Sequence, residues 1–158
     1  MKKIIAVLGL VVLIATASSA LNRYGVEAVA GAIFPYMGWQ ISDTQAIDVG
    51  LGYTSTNNGG VTTLTLGGKY TQSLAVVNKV KLNWYGMLGI GSVNTGASTT
   101  TLTLLGGLGA EYMITEAIGI YGDIDLLTIQ SMSGAATGTN FFLVQGDFNY
   151  FSGIRIYI

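Results

Sequence analysis

Residues 140–158 read NFFLVQGDFNYFSGIRIYI. Gln145, Asp147, Asn149 and Arg155 stand among Phe and Ile, two residues apart or a multiple of two. Side chains on a β-strand alternate between faces, so a period of two is the sign of a strand. The even positions are Phe142, Val144, Gly146, Phe148, Tyr150, Ser152, Ile154, Ile156 and Ile158. The odd positions are Leu143, Gln145, Asp147, Asn149, Phe151, Gly153, Arg155 and Tyr157. One face is mostly apolar and the other mostly polar, with no change of phase. The stretch reads as one long strand.

The same alternation runs upstream. In AIDVGLGYT, Ile47, Val49, Leu51 and Tyr53 oppose Asp48, Gly50, Gly52 and Thr54. In TTLTLGGKYT, Leu64, Leu66 and Tyr70 oppose Thr63, Thr65, Gly67 and Lys69. In VKLNWYGMLGIG, Val80, Leu82, Trp84, Leu88 and Ile90 oppose Lys81, Asn83, Tyr85, Met87 and Gly89. TLTLLGGLGAEY sets Leu102, Leu104, Leu108 and Tyr112 against Thr101, Thr103, Gly107 and Glu111. IGIYGDIDL sets Ile118, Ile120, Ile124 and Leu126 against Gly119, Tyr121, Asp123 and Asp125. Each strand has an oily face and a face of Gly, Thr and charge.

Composition argues for an oily face that looks outward. Half of the 158 residues are hydrophobic and only 9% are charged, against about 25% in a soluble domain. A face of Gly and Thr makes a poor solvent surface. The strands run to roughly ten residues, the length that a tilted membrane strand needs. No segment after Ala20 holds the unbroken apolar run of a spanning helix. In lipid every backbone polar group must be satisfied internally, so the alternative to helices is a closed barrel. A secreted β-protein with its apolar face inward, of lipocalin style, remains the competing fold.

The N-terminus carries a basic MKK, an apolar IIAVLGLVVLIATA and a small-residue SSA. That is the form of a secretory signal peptide, with cleavage expected after Ala20 and a barrel domain over 21–158. Cys is absent, which excludes lipid modification, disulfides and thiolate chemistry in the product. After residue 20, five basic residues stand against eight acidic ones, three negative charges in excess. No basic patch exists to bind nucleic acid.

Gly-, Ser- and Asn-rich turns (TSTNNGGV, NTGASTT, SMSGAATGTN) alternate with compact ones (QISDTQA, QSLAVVNKV, YMITEAI). An up-and-down meander has two such ends. The spacing predicts strands near 45–55, 61–72, 79–93, 100–113, 117–130 and 140–158. Between Glu27 and Gln40 the polar phase changes from odd to even. A tight turn at Phe34-Pro35 would give strands 24–33 and 36–42 and a total of eight. One long strand bulged at Pro35, or a short helix over 26–33, would also accommodate Pro35.

FSGIRIYI at the end of the chain resembles the C-terminal signal of bacterial outer-membrane β-barrels, with Gly153, Ile156 and Ile158 at the matching places. It carries Ile158 where an aromatic is commoner. GGLGAEYMITEAIGIYGDIDL and GWQISDTQAIDVGLGY resemble the strand–turn–strand units of the OmpA-like and OmpX-like small barrels. The resemblance implies an all-β, eight-stranded antiparallel transmembrane barrel in the outer membrane of a Gram-negative cell. It implies a monomer whose partners are the lipid bilayer and the barrel-assembly machinery. The compact turns and the C-terminus would face the periplasm. Trp39, Tyr70, Trp84 and Tyr112 would then form an aromatic girdle at that interface, with Tyr53 and Phe142 toward the other.

An eight-stranded barrel is just wide enough for side chains to fill. Its lumen would hold Glu27, Asp48, Lys69, Lys81, Glu111, Asp123, Asp125, Asp147 and Arg155. Hairpin registry puts Lys81 opposite Glu111. It predicts a Lys69–Lys81–Glu111 cluster near the periplasmic end, with Arg155 close to the Asp123/Asp125 strand. Unpaired burial is costly, so these charges should pair or hold water. They read as a polar plug that specifies the fold, or as a gated, weakly cation-preferring path whose pairs exchange partners. His is absent along with Cys, which excludes the usual His-dependent and thiol catalysts of barrel type. The pair Asp123 and Asp125 reads as strand charge, not as a catalytic or metal site. GLG and GIG are strand glycines with no helix after them, so they are not phosphate loops. No cofactor is implied. The expected role is structural or small-porin-like, with a surface adhesin as the alternative and short loops against it.

Overall fold

The structure, a computed structural model, describes residues 21–29, 32–56, 61–94, 97–143 and 150–158. The leader expected over 1–20 lies outside them, as do Gln145, Asp147 and Asn149. Period-two segments become strands β1 Leu21–Val29, β2 Ala32–Ser42, β3 Gln45–Thr56 and β4 Val61–Val77. They continue as β5 Val80–Asn94, β6 Ser98–Met113, β7 Ile118–Gly134, β8 Gly138–Leu143 and β9 Tyr150–Tyr157. All described pairings are antiparallel, between chain neighbours from β1 to β7. β9 joins β7 to β1 and closes the wall. β8 and β9 both lie against β7, at successive heights, so they share one position and the barrel has eight.

Burial is inverted relative to a soluble domain. Leu104, Ile120 and Ile154 point outward with 48%, 44% and 53% of their surface exposed, and Leu64 lies on the same face. The buried residues are chiefly polar: Arg23, Glu27, Asp48, Lys69, Glu111, Asp123 and Arg155 among them, with Tyr36, Tyr85 and Tyr121. A lipocalin-style interior needs the reverse arrangement, so that reading falls.

Three local expectations are corrected. The first hairpin closes at Val29↔Ala32, so Phe34 and Pro35 lie inside β2 and not in a turn. Pro35 stands one residue beyond the end of the β2–β3 ladder at Tyr36↔Gly50, where a missing N–H costs no bond on that side. Second, β4 runs to Val77 and not to residue 72. The pair Val77↔Val80 leaves a two-residue turn in which Asn78 adopts a φ of 55°, the left-handed region that Asn tolerates.

Third, the last strand does change phase. In β7 the pairs Gly106↔Leu127 and Gly107↔Asp125 leave Leu126 as an extra residue. That bulge sits opposite two glycines and inverts the face of everything above it. Asp123 and Asp125 face the lumen below it; Thr128 and Gln130 face the lumen above it, opposite Leu105 and Thr103. β8 follows the upper half of β7, so Phe141 and Leu143 are exposed while Phe142, paired with Thr128, points inward. β9 follows the lower half, with Ile154 and Ile156 outward and Arg155 inward. From Ile124 to Leu127 β7 advances three residues, whereas the chain opposite advances seven, from Leu143 to Tyr150. Phe142 therefore does not reach the outer interface.

Candidate functional site

The lumen holds two linked clusters of charge. In the first, Arg23 grips Asp48 with both arms: Nε donates to Oδ1 at 2.6 Å and Nη2 to Oδ2 at 2.6 Å. Arg155 lies 3.7 Å from the same Asp48 oxygen and donates from Nη1 to Glu111 Oε2 at 2.8 Å. Tyr157 donates its hydroxyl to the other oxygen of Glu111 at 2.7 Å. Arg155 and Glu111 are 3% and 2% exposed, so these are buried, charge-assisted bonds.

In the second cluster, Lys69 donates to Glu27 at 3.3 Å and also to Asp123. Tyr121 donates to the same Glu27 oxygen at 2.6 Å, and Tyr85 donates to Asp125. The Lys69 ammonium lies 4.7 Å from the centre of the Tyr85 ring and 5.2 Å from that of Tyr121, within the range of cation–π attraction. Tyr36 and Tyr121 join the clusters. Their rings meet edge to face at 6.3 Å, the Arg155 guanidinium lies 4.5 Å from the Tyr121 ring, and Arg155 Nε donates to Tyr36 Oη at 3.1 Å.

The sites come from β1, β2, β3, β4, β5, β6, β7 and β9, so the network ties the wall together across its interior. Inward glycines make room for it. A Cβ on Gly25, Gly107, Gly109 or Gly153 would collide with Tyr36, Tyr85, Asp123 or Tyr121, each the residue directly opposite on a neighbouring strand. Among the described residues, no group of three or more His, Cys, Asp or Glu is placed to hold a metal ion.

The expected Lys69–Lys81–Glu111 cluster does not form. Lys81 does pair with Glu111 in register, but its ammonium lies over the Tyr157 ring at 5.0 Å and Glu111 bonds to Arg155. The cause is the true turn. Lys81 follows the two-residue turn at once, whereas Lys69 stands in the row Lys69↔Met87↔Leu105, six residues above Glu111 on β6. Six residues is roughly 20 Å of strand. Arg155 lies beside β7, opposite Gly119, but its ion partners are Glu111 and Asp48 and not the two aspartates of β7.

Outside, Trp39 and Tyr70 both flank Ile47, and Trp84 packs on Tyr70 with ring centres 5.4 Å apart. Tyr112 opposes Val80 beside the Asn78–Lys79 turn. Ile156 and Ile158 are exposed, while Gly153 faces the lumen under Tyr121.

Among solved structures, the chain is similar to Neisserial surface protein A, at 11% identity and a TM-score of 0.49 over 87% of this chain and 93% of that one. It is also similar to a de novo designed transmembrane β-barrel, at 14% and 0.43 over 87% and 93%. CarO of Acinetobacter baumannii aligns at 10% and 0.41 over 90% and 99%. No protein-family model and no curated sequence matches the chain. What decides its class is its own wall: closed, eight positions round, oily outside and ion-paired within. Its architecture is a closed antiparallel β-barrel of eight positions, with the oily exterior and polar interior of a transmembrane barrel.

In this barrel, sequence reading missed Arg23, Tyr36, Tyr85, Tyr121 and Tyr157 as members of the network. Arg23 stands four residues before Glu27 and so shares its face, but the expected strand began at residue 24. The tyrosines lie in phase with Gln40, Lys81, Asp123 and Arg155. An aromatic in phase with charges is the available signal for a phenol that bonds to them.

Proposed function

We propose that this chain is an outer-membrane protein whose barrel serves the envelope structurally, with a lumen closed to free passage by the charge network. The observation that carries this reading is the pairing of every network acid within reach of a cation or a phenol. Replacing buried ion pairs by apolar residues is often neutral or stabilising, so on this reading the network serves to specify one fold more than to add raw stability. On this reading a leader over 1–20 is removed on export. Gly153, Ile156 and Ile158 act as the assembly signal, Trp39, Tyr70, Trp84 and Tyr112 as the girdle, and the barrel works as a monomer without cofactor or catalysis. The short loop sequences NNGG, NTGAS and MSGAATG speak against an adhesive surface.

A small-porin reading has one specific observation in its favour. Asp48 is shared by Arg23 and Arg155, and Lys69 by Glu27 and Asp123. Shared partners are what an exchange of pairs would use. One experiment separates the two. Refolded protein, checked for heat-modifiable gel migration, is added to planar bilayers. The structural reading expects folded protein in the membrane with no stable open channel, and Arg155→Ala to admit current. Stable channels from the unaltered barrel establish the porin reading instead.

A further inference from the structure

Among the described residues, the network fills one end of the lumen and leaves open space at the other. Beyond it, toward the Asn94–Ser98 and Gly134–Gly138 ends of the hairpins, lies a cavity of about 300 Å³. Small eight-stranded barrels are ordinarily filled by side chains, and this volume reaches the lower end of the range seen for ligand sites.

Glycines show why the space is open. Those in the network half are each filled by the side chain opposite, as described above. Gly89 and Gly91, on the lumen face of β5, are different. A Cβ on Gly89 would meet nothing nearer than 3.8 Å, and one on Gly91 would make ordinary contact with Thr65 at 3.4 Å. A Cβ on Gly67, their neighbour on β4, would press on the flexible end of Met87 at 2.9 Å and touch the Leu88 carbonyl at 3.7 Å. Gly in a strand weakens it and marks a bulge, a bend or the close approach of a ligand or another backbone; no register shift is seen at Gly89 or Gly91. Side chains at Gly89 and Gly91 would have entered the cavity without a clash at Cβ.

The walls are largely carbon. Met87, Leu105, Val93 and Phe34 supply it, while Thr65 and Thr103 bring hydroxyls. The floor is the network, where Glu27, Asp48 and Lys69 border the cavity. Behind it five carboxylates (Glu27, Asp48, Glu111, Asp123, Asp125) face four bases (Arg23, Lys69, Lys81, Arg155) among the described residues. The floor therefore repels an anion and attracts a cation.

We infer that this cavity is a binding site for a small amphiphilic amine. Its apolar body lies against Met87 and Leu105 on the cavity wall, and its ammonium points to the carboxylates of the floor. The site needs the barrel and its plug but does not depend on whether the lumen conducts.

The test uses the refolded barrel with labelled Met and Leu methyl groups, titrated by NMR with n-hexylammonium and, separately, with hexanoate. The Met87 and Leu105 methyl signals should shift saturably with the amine, and hexanoate should bind about tenfold more weakly. Gly89→Leu, placed where a side chain has room, should abolish the response while keeping heat-modifiable folding; Gly91→Val serves if that variant does not fold. Shifts that never saturate, or that persist in the filled variant, mean partition into the detergent and overturn the site. Equal affinity for hexanoate overturns the choice of an amine.

Discussion

Lys69 has an exacting position among the described side chains. It is buried, it holds Glu27 and Asp123 together, and two tyrosine rings flank it. Removing one member of a buried ion pair leaves the others desolvated and uncompensated. Lys69→Ala should therefore cost about 3–5 kcal/mol in urea unfolding from lipid vesicles. Adding Asp123→Asn to that variant should recover part of the loss, because it removes one stranded charge. Lys81 is the internal control. Its visible interaction is with the Tyr157 ring, so Lys81→Ala should cost under about 1 kcal/mol by the same measurement. Equal losses at the two lysines would mean that the network is not what holds the interior. The inward glycines divide in the same way. Gly153→Ala drives a methyl into Tyr121 and the backbone of Val26, and should cost about 1–3 kcal/mol. Gly89→Ala enters open space and should be neutral or stabilising by up to about 1 kcal/mol.

Strands carry the phase of the whole wall, and two backbone features set it. One is the tight turn after β4, where Asn78 is left-handed. Asn78→Val should cost about 1–3 kcal/mol, since a β-branched residue is strained there, while Asn78→Gly should cost nothing measurable; the unfolding midpoints of the two variants check this. The other is the bulge at Leu126. It explains why the alternation seen in residues 140–158 could not be carried through as one strand. Strand existence was legible because alternation is a local property. The bulge was not, because an extra residue is defined only against the partner strand. In hindsight the adjacent apolar pair Leu126-Leu127, opposite Gly106-Gly107, is its trace. The first hairpin teaches the same lesson: Pro35 marked a turn in the sequence, but the ladder turns at Val29↔Ala32.

For the molecule as a whole, the inverted burial makes a direct prediction about solvent. Leu104 lies near the middle of β6, outward and opposite Leu88. Leu104→Arg should destabilise the barrel in vesicles by about 2–4 kcal/mol, as charge on a lipid-facing strand does near the midplane. A protein whose outer face met water would gain from that change or ignore it, so the sign of the shift in unfolding midpoint decides.

The period of two, the scarcity of charge and the missing spanning helix determined by themselves that this chain is a sheet of two-faced strands and pointed to a closed barrel. Each is a property of neighbours along one strand or of overall composition, and needs no knowledge of what lies across the lumen. That the oily face looks outward, and not inward as in a lipocalin-style fold, was decided by the burial in the structure. The partners of the charges were decided only by tertiary structure. Lys69 and Glu27 are 42 residues apart, Arg155 and Glu111 44, and Arg155 and Tyr36 119. In a barrel this narrow, long side chains meet across the interior, so a turn shifted by a few residues or one bulged leucine reassigns every pair. The hollow beyond the network is likewise a tertiary fact: each glycine looks the same in the sequence, and only the strand opposite says which is filled and which is empty.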